Sequence, residues 1–300
     1  MKALVTGATG FVGTALLRRL ERPRVLTRDP ARAKEALGGL EALAWDPGRG
    51  PPPPEAFQGI DAVLHLAGEP VAGGRWTESR KRRIRDSRVI GTRHLVDGIL
   101  AANPRPRVLV SASAVGFYGD RGDEMLTEDS RRGTGFLADV CGEWEREARR
   151  AEEEGGVRTV TVRIGVVLGK GGGALAKMLL PFQLGLGSPL GSGRQWMPWI
   201  HIDDLVGILL FCANDERMRG AVNGVAPAPA TNREFTKALG RALGRPTFLP
   251  AVPAAVLRLG MGEFAQVLLD SQRIGAQRAW SARYAWVHPD LEGALRAAVR

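Results

Sequence analysis

The first 170 residues alternate short apolar runs with stretches whose apolar positions recur every three to four residues. Short apolar runs separated by helical patterns read as βαβ units on a parallel sheet. The pattern predicts strands over 3–6, 24–27, 42–45, 62–66, 107–111 and 159–164, and helices near 11–20, 77–101 and 135–154. Four consecutive prolines from Pro51 to Pro54 mark an extended connection between the third and fourth strands. From Gly171 the texture changes. Three glycines open an apolar helix, a glycine-rich loop runs over 185–194, and shorter helices follow with one short strand at 222–225. These patterns predict a doubly wound α/β fold of Rossmann type over 1–170 and a smaller substrate-side domain over 171–300. Some exchange of segments between the two is expected.

Gly7-Ala8-Thr9-Gly10-Phe11-Val12-Gly13 follows the first strand directly and opens the first helix. Gly7 permits a tight turn, Gly10 lets the backbone approach a pyrophosphate, and Gly13 lets helix and strand pack closely. The helix start over Thr9, Phe11 and Val12 offers free N–H groups to phosphates. A dinucleotide cradle is expected here. The second strand selects between cofactors and ends Thr27-Arg28-Asp29. The Arg28 guanidinium matches a ribose 2′-phosphate, with Thr27 adding a hydroxyl. Asp29 could instead serve the 2′-hydroxyl of NAD(H). The reading favours NADP(H). Leu66, Ala67 and Gly68 leave the fourth strand where a parallel sheet places its ligand. His65, on that apolar strand, reads as a core residue that supports the site.

Composition narrows the function. Apolar residues form 44% of the chain, ample for a core, and no run is long enough to span a membrane. The N-terminus lacks the layout of a signal peptide, and two cysteines, Cys141 and Cys212, are too few for a disulfide framework. A cytoplasmic location is the expectation. The net charge of +10 raises nucleic acid as a partner. The densest basic stretch, over 80–88, lies in an amphipathic helix without interleaved aromatics, so no nucleic-acid role is expected. A small-molecule ligand is. No His, Cys or Asp cluster has metal-ligand spacing, and no metal is expected. Asp203 reads as an N-cap, with Asp204 complementing the helix dipole.

Gly7–Gly13, His65-Leu66-Ala67-Gly68, Ser111-Ala112-Ser113 leading to Tyr118-Gly119, and Trp199-Ile200-His201-Ile202-Asp203-Asp204 occur in this order. In this the chain resembles the extended short-chain dehydrogenase/reductases, the nucleoside-diphosphate-sugar epimerases and their relatives. Leu66-Ala67-Gly68-Glu69-Pro70, Arg75-Trp76-Thr77-Glu78 and the stretch from Gly172 to Trp196 resemble a narrower set of atypical epimerase-family proteins, some once labelled cell-division inhibitors. That match covers nearly the whole chain, including a C-terminal segment of unassigned role from about residue 249. The resemblance implies the Rossmann fold and a dinucleotide cofactor, with Val167 on the nicotinamide wall and Ser113 hydrogen-bonding a substrate oxygen. It also implies that Arg83 and Arg88 lie on a helix passing the cofactor phosphates, and that the two long helices can form a homodimer.

One departure bears on chemistry. The resembled enzymes use a Tyr general acid/base with a Lys four residues on. The two tyrosines here, Tyr118 and Tyr284, are followed at that spacing by Gly122 and His288. In the helix that should carry the pair, Phe136 or Leu137 replaces Tyr, and Val140 or Cys141 replaces Lys; an apolar side chain transfers no proton. Three readings stay open. The first is an NADP(H)-dependent oxidoreductase or epimerase-like protein with substitute groups, Ser113 and Tyr118 being the candidates. The second is a non-catalytic NADP(H)-binding sensor or regulator. The third is a structural component of a complex. On the substrate side stand Arg194, Trp196 and Trp199; Trp196, Met197 and Trp199 favour an apolar or aromatic ligand over a nucleotide sugar, while Arg194 sits one loop before the place of the family's diphosphate-binding Arg.

Overall fold

The computed structural model describes residues 1–299. In chain order the elements are β1 (Ala3–Thr6), α1 (Phe11–Leu17), β2 (Arg24–Thr27), α2 (Pro30–Ala36), β3 (Ala42–Ala44), β4 (Ala62–His65), α3 (Glu78–Ala101), β5 (Val108–Ala114), β6 (Met125–Leu126), α4 (Phe136–Glu153), β7 (Arg158–Ile164) and β8 (Val166–Leu168). Then follow α5 (Gly173–Gln183), β9 (Trp196–Met197), β10 (Trp199–His201), α6 (Ile202–Asn214), β11 (Gly220–Gly224), β12 (Ala230–Thr231) and α7 (Asn232–Leu243). The C-terminal segment adds α8 (Ala254–Met261), α9 (Ala265–Leu269), β13 (Arg273–Ile274), α10 (Gln277–Ser281) and α11 (Leu291–Val299).

Seven parallel strands form the central sheet in the order β11-β7-β5-β4-β1-β2-β3. The order reverses beside β1, which pairs with β2 on one side and β4 on the other. That reversal opens a crevice at the carboxyl ends of the three strands. Both faces of the sheet are covered, and alternate residues of one strand enter different cores. Ala3 and Val5 join the core under α1 and α6, whereas Leu4 joins the one under α3 and α4.

The six expected strands of the first half are present, the fifth extended through Ala114. The short late strand is β11. It pairs with β7 as an edge of the central sheet, and α6 lies in the core beneath it, so the chain returns to the first domain after leaving it. The remaining C-terminal elements build a lobe over the sheet's carboxyl edge, with its own core from α5, α7 and α11. In α8 no residue is buried. Among the described residues, no helix is long and apolar enough to cross a membrane.

Candidate dinucleotide site

A cavity of about 280 Å3 lies in the crevice, walled by the β1–α1 turn, the end of β2 and the exit of β4. Gly7, Thr9, Gly10, Thr27, Arg28, Leu66, Ala67 and Gly68 all line it. Gly7 sits at φ +69°, and a Cβ there would lie 2.6 Å from the Leu66 carbonyl carbon. At Gly13 a Cβ would lie 2.2 Å from the Gly7 oxygen, so α1 could not pack against the turn. Phe11 and Val12 open α1 and lie against the core beneath the cavity. The Phe11 ring faces the glycines at 169, 172 and 173, and Val167 packs on the same core. Val167 does not line the cavity itself.

Two residues that do not touch the cavity set its wall. Thr6 Oγ1 accepts the amides of Leu66 and Ala67, each at 3.2 Å, so its own proton goes to His65 Nδ1 at 2.7 Å. His65 Nε2 is then the protonated nitrogen and donates to Thr92 Oγ1 at 2.9 Å. Burial, then the Arg88 charge, pulls the His65 imidazole down to about 3. It is therefore neutral and positions the strand exit.

At β2 the two candidate selectors separate. Arg28 lines the cavity. Asp29 is the N-cap of α2, its carboxylate accepting the Arg32 amide at 3.0 Å. Arg88 and Arg83 separate too. Five residues turn a helix by about 500°, leaving the two side chains about 140° apart. Arg83 is exposed. Arg88 is turned inward against Gly68, donates to the carbonyls of Glu69 and Ile84, and stacks on Trp144. Among the described residues no carboxylate pairs with it, and burial lowers its affinity for the proton. The ion pairs from α3 to α4 are made instead by Arg85 with Glu143, Arg93 with Glu147 and Asp97 with Arg150.

The candidate catalytic hydroxyls lie in a closed network. Ser113 is buried and donates to Glu145 Oε1 at 2.7 Å. Glu145 also holds Arg163 through two bonds, at 2.8 and 2.9 Å. Arg163 donates to the Tyr118 hydroxyl at 2.9 Å, and Tyr118 donates to Asn223 at 2.7 Å. Tyr118 has no exposed surface. Burial raises its pKa, more than Arg163 lowers it. The expectation that Tyr118 stands in as an acid is thus corrected: it is an internal strut between β7 and β11. Burial pulls Arg163 down, but the Glu145 bonds outweigh it and the guanidinium stays charged. Leu137 faces Gly116, and Cys141 lies against Ser113 and Ala114. Of the four residues expected at the Tyr and Lys places, these two face the Ser113 side of the site, while Phe136 packs edge-on against Trp76 at 5.2 Å. Burial pushes the Cys141 thiol up to about 11, which keeps it protonated.

Sequence reasoning missed Glu145 and Arg163. The signal was present: an arginine on a strand covered on both faces needs a buried counter-charge. The substrate-side residues scatter. Trp199 is buried and its indole donates to the Ala228 carbonyl, so it anchors the lobe. Trp196 is half-buried, bonded to Asp123 and stacked under Arg273. Arg194 is exposed. The cap of α6 is not Asp203 but His201, whose Nδ1 accepts the Asp203 amide at 3.2 Å. Asp204 is buried and accepts the amides of Val287 and His288. The fold also gathers His201, Asp203 and His288, a set that spacing along the chain does not reveal because the third member is 85 residues away from the second.

Residues 3–223 match the NAD dependent epimerase/dehydratase family, and 252–298 match a domain of unknown function, DUF1731. The chain belongs to the NAD dependent epimerase/dehydratase family. It is 40% identical to the chloroplastic epimerase family protein SDR39U1 homolog of Arabidopsis thaliana, over 99% of this chain and 86% of that one. It is 39% identical to the epimerase family protein SDR39U1 of Mus musculus, over 99% of each. The crystal structure of human SDR39U1 (isoform 2) with NADPH superposes with a TM-score of 0.88 at 37% identity, over 99% of both chains. The UDP-glucuronic acid 4-epimerase of Bacillus cereus, in complex with UDP-glucuronic acid and NAD, shares the fold at 17% identity, with a TM-score of 0.77 over 99% of this chain and 98% of that one.

Proposed function

We propose that this chain binds NADP(H) in the cavity between β1, β2 and β4, in preference to NAD(H), and does so without Tyr-based proton transfer. The observation that carries the reading is the division of labour at the end of β2. Asp29 is committed to capping α2, which leaves Arg28 as the cation on the cavity wall, with Glu69 the one carboxylate among the lining residues. A guanidinium there suits a 2′-phosphate, with which it makes charge-assisted bidentate bonds, and gives a bare 2′-hydroxyl only a weaker single bond. Arg88 supports an anionic ligand independently, since a buried cation without a carboxylate calls for a counter-charge. The NADPH in the human SDR39U1 structure agrees.

The site favours a sensor or regulatory binder over an ordinary dehydrogenase of the family. Leu137 and Cys141 transfer no proton, and Ser113 is held by Glu145. A second reading, an NADPH-dependent reductase or epimerase, rests on that same bond. A carboxylate 2.7 Å from the Ser113 hydroxyl gives a substitute proton route. The buried free thiols of Cys141 and Cys212 suit a reducing compartment such as the cytoplasm.

Calorimetric titration of nucleotide-stripped protein with NADPH and NADH is the test, followed by assay of NADPH oxidation against aldehydes, ketones and nucleotide sugars. Tight NADPH binding without turnover supports the binder; turnover on any carbonyl moves the assignment to the reductase. Arg28→Ala is expected to weaken NADPH binding by about 10- to 150-fold, the loss of one charge-assisted contact, and to leave NADH within about twofold. Equal loss for both cofactors would remove Arg28 as selector, and failure to bind NADPH would remove both readings.

A further inference from the structure

The α6 N-terminus and the C-terminal segment meet at three ligand-bearing side chains that the dinucleotide site does not use. His201 ends β10 and Asp203 lies in the first turn of α6, while His288 arrives from the turn before α11. One ligand atom from each lies within 4.8 Å of the others. Asp203 Oδ2 stands 3.5 Å from His201 Nδ1 and 3.6 Å from His288 Nε2. Ligands at about 2.0–2.2 Å around a tetrahedral zinc lie roughly 3.3–3.5 Å apart. Two of the three donor separations are therefore close to those around a coordinated ion, and the third lies within 4.8 Å.

The cluster is built rather than casual. Asp204 is buried, and its two carboxylate oxygens take the amides of Val287 at 2.7 Å and His288 at 2.9 Å. The Tyr284 hydroxyl donates to the Asp204 carbonyl at 3.1 Å. These bonds fix the backbone that carries His288 against the start of α6. The imidazoles of His201 and His288 lie with centroids 3.9 Å apart. His201 is buried, His288 is mostly buried, and Asp203 is open to solvent, so the cluster has one wet side. The positive end of the α6 dipole opposes a cation, and Asp203 and Asp204 offset it.

The geometry points to a divalent transition-metal site formed by His201, Asp203 and His288, with solvent in the remaining position. Two imidazoles and one carboxylate suit Zn2+, Co2+ or Ni2+ and do not suit Mg2+ or Ca2+, which prefer all-oxygen shells. Coordination takes over the His201 Nδ1 lone pair that now accepts the Asp203 amide. The ion joins the C-terminal segment to the helix that lies under the central sheet. Its role is that of a clasp, reinforcing the contact that Asp204 already makes. This site is independent of the dinucleotide reading.

The test is titration of the chelator-stripped full chain with Zn2+ at neutral pH, with Co2+ absorbance as a second readout. One Zn2+ per chain, a raised melting temperature and the visible bands of Co2+ in a nitrogen–oxygen shell are expected. His288→Ala and Asp203→Asn, both at positions reached by solvent, are each expected to weaken binding by more than about tenfold while the protein stays folded. A second-site variant, Asp204→Asn, is expected to weaken it by loosening His288. Absence of Zn2+ binding by the wild-type chain overturns the assignment. So does binding that is unchanged in both ligand variants.

Discussion

Arg163 shows how one residue can decide the chemistry of a site. A guanidinium on a covered strand has to be neutralised, and Glu145 does so by turning inward from α4. In doing so it also takes the Ser113 hydroxyl, which the family resemblance offers for a substrate contact. Breaking a buried pair from one side leaves a charge without solvent or partner. Glu145→Leu is therefore expected to cost about 3–5 kcal/mol in urea unfolding, and adding Arg163→Met to recover much of it. Ser113→Ala removes one hydrogen bond and is expected to cost about 1 kcal/mol. A Glu145→Leu loss no larger than that of Ser113→Ala would show that the pair does not hold this network together. The glycines, Thr27 and Arg28 were legible because each acts through its own backbone or side chain near a local motif. Glu145 was not, because its partners lie 18 and 32 residues away on other elements.

At the scale of elements, the β1–α1 unit forms because three apolar residues and Thr6, all buried, are followed at once by a turn that only small residues can make. Gly13→Ala places a methyl 2.2 Å from the Gly7 oxygen, so α1 must shift away from the strand. Overpacking of this kind costs about 1–3 kcal/mol. NADPH affinity is expected to fall with it, because the displaced helix start no longer faces the cavity; titration of a folded Gly13→Ala protein with unchanged affinity would separate the turn from binding. The exit of β4 carries a pH dependence. His65 is neutral in the folded chain down to about 3, whereas an unfolded histidine takes a proton near its ordinary value of 6.5. Between these values the unfolded state binds more protons, so stability is complete above about 6.5 and declines as the pH falls. Melting temperatures measured from pH 7 to pH 5 should drop, and His65→Gln should flatten the slope. Buried His201, lowered by burial and by His288, tilts the curve the same way, so a flattened slope in the variant isolates the His65 share. A slope that His65→Gln leaves unchanged would assign the whole effect elsewhere.

For the molecule as a whole, α3 and α4 form the face through which a homodimer was expected. None of the exposed large apolar side chains among the described residues lies on either helix. Charged pairs run between the two helices instead: Arg85 with Glu143, Arg93 with Glu147, and Asp97 with Arg150. Stable homodimer interfaces have apolar centres, depleted of charge. Sedimentation at micromolar concentration is therefore expected to give the mass of one chain, and a dimer that persists there would show that this face is not the one to read. The exposed apolar side chains cluster elsewhere, on α5, α8 and the segments joining them, among them Leu180, Leu184 and Leu259.

The sequence alone determined six of the seven strands of the central sheet and the turn that opens it. Those features depend on periodicity and on contacts between neighbours in the chain, and both are written locally. It also determined that the Tyr-x-x-x-Lys pair of the family is missing, since the absence of that spacing needs no coordinates. Only the tertiary structure decided that Asp29 caps α2 while Arg28 faces the cavity, that Arg88 turns inward and Arg83 does not, and that Tyr118 is a strut. The tertiary structure likewise returned β11 to the sheet and set His288 beside His201. In each case side-chain direction depends on packing between elements remote in sequence, and a burial cost that no local pattern encodes selects the partner.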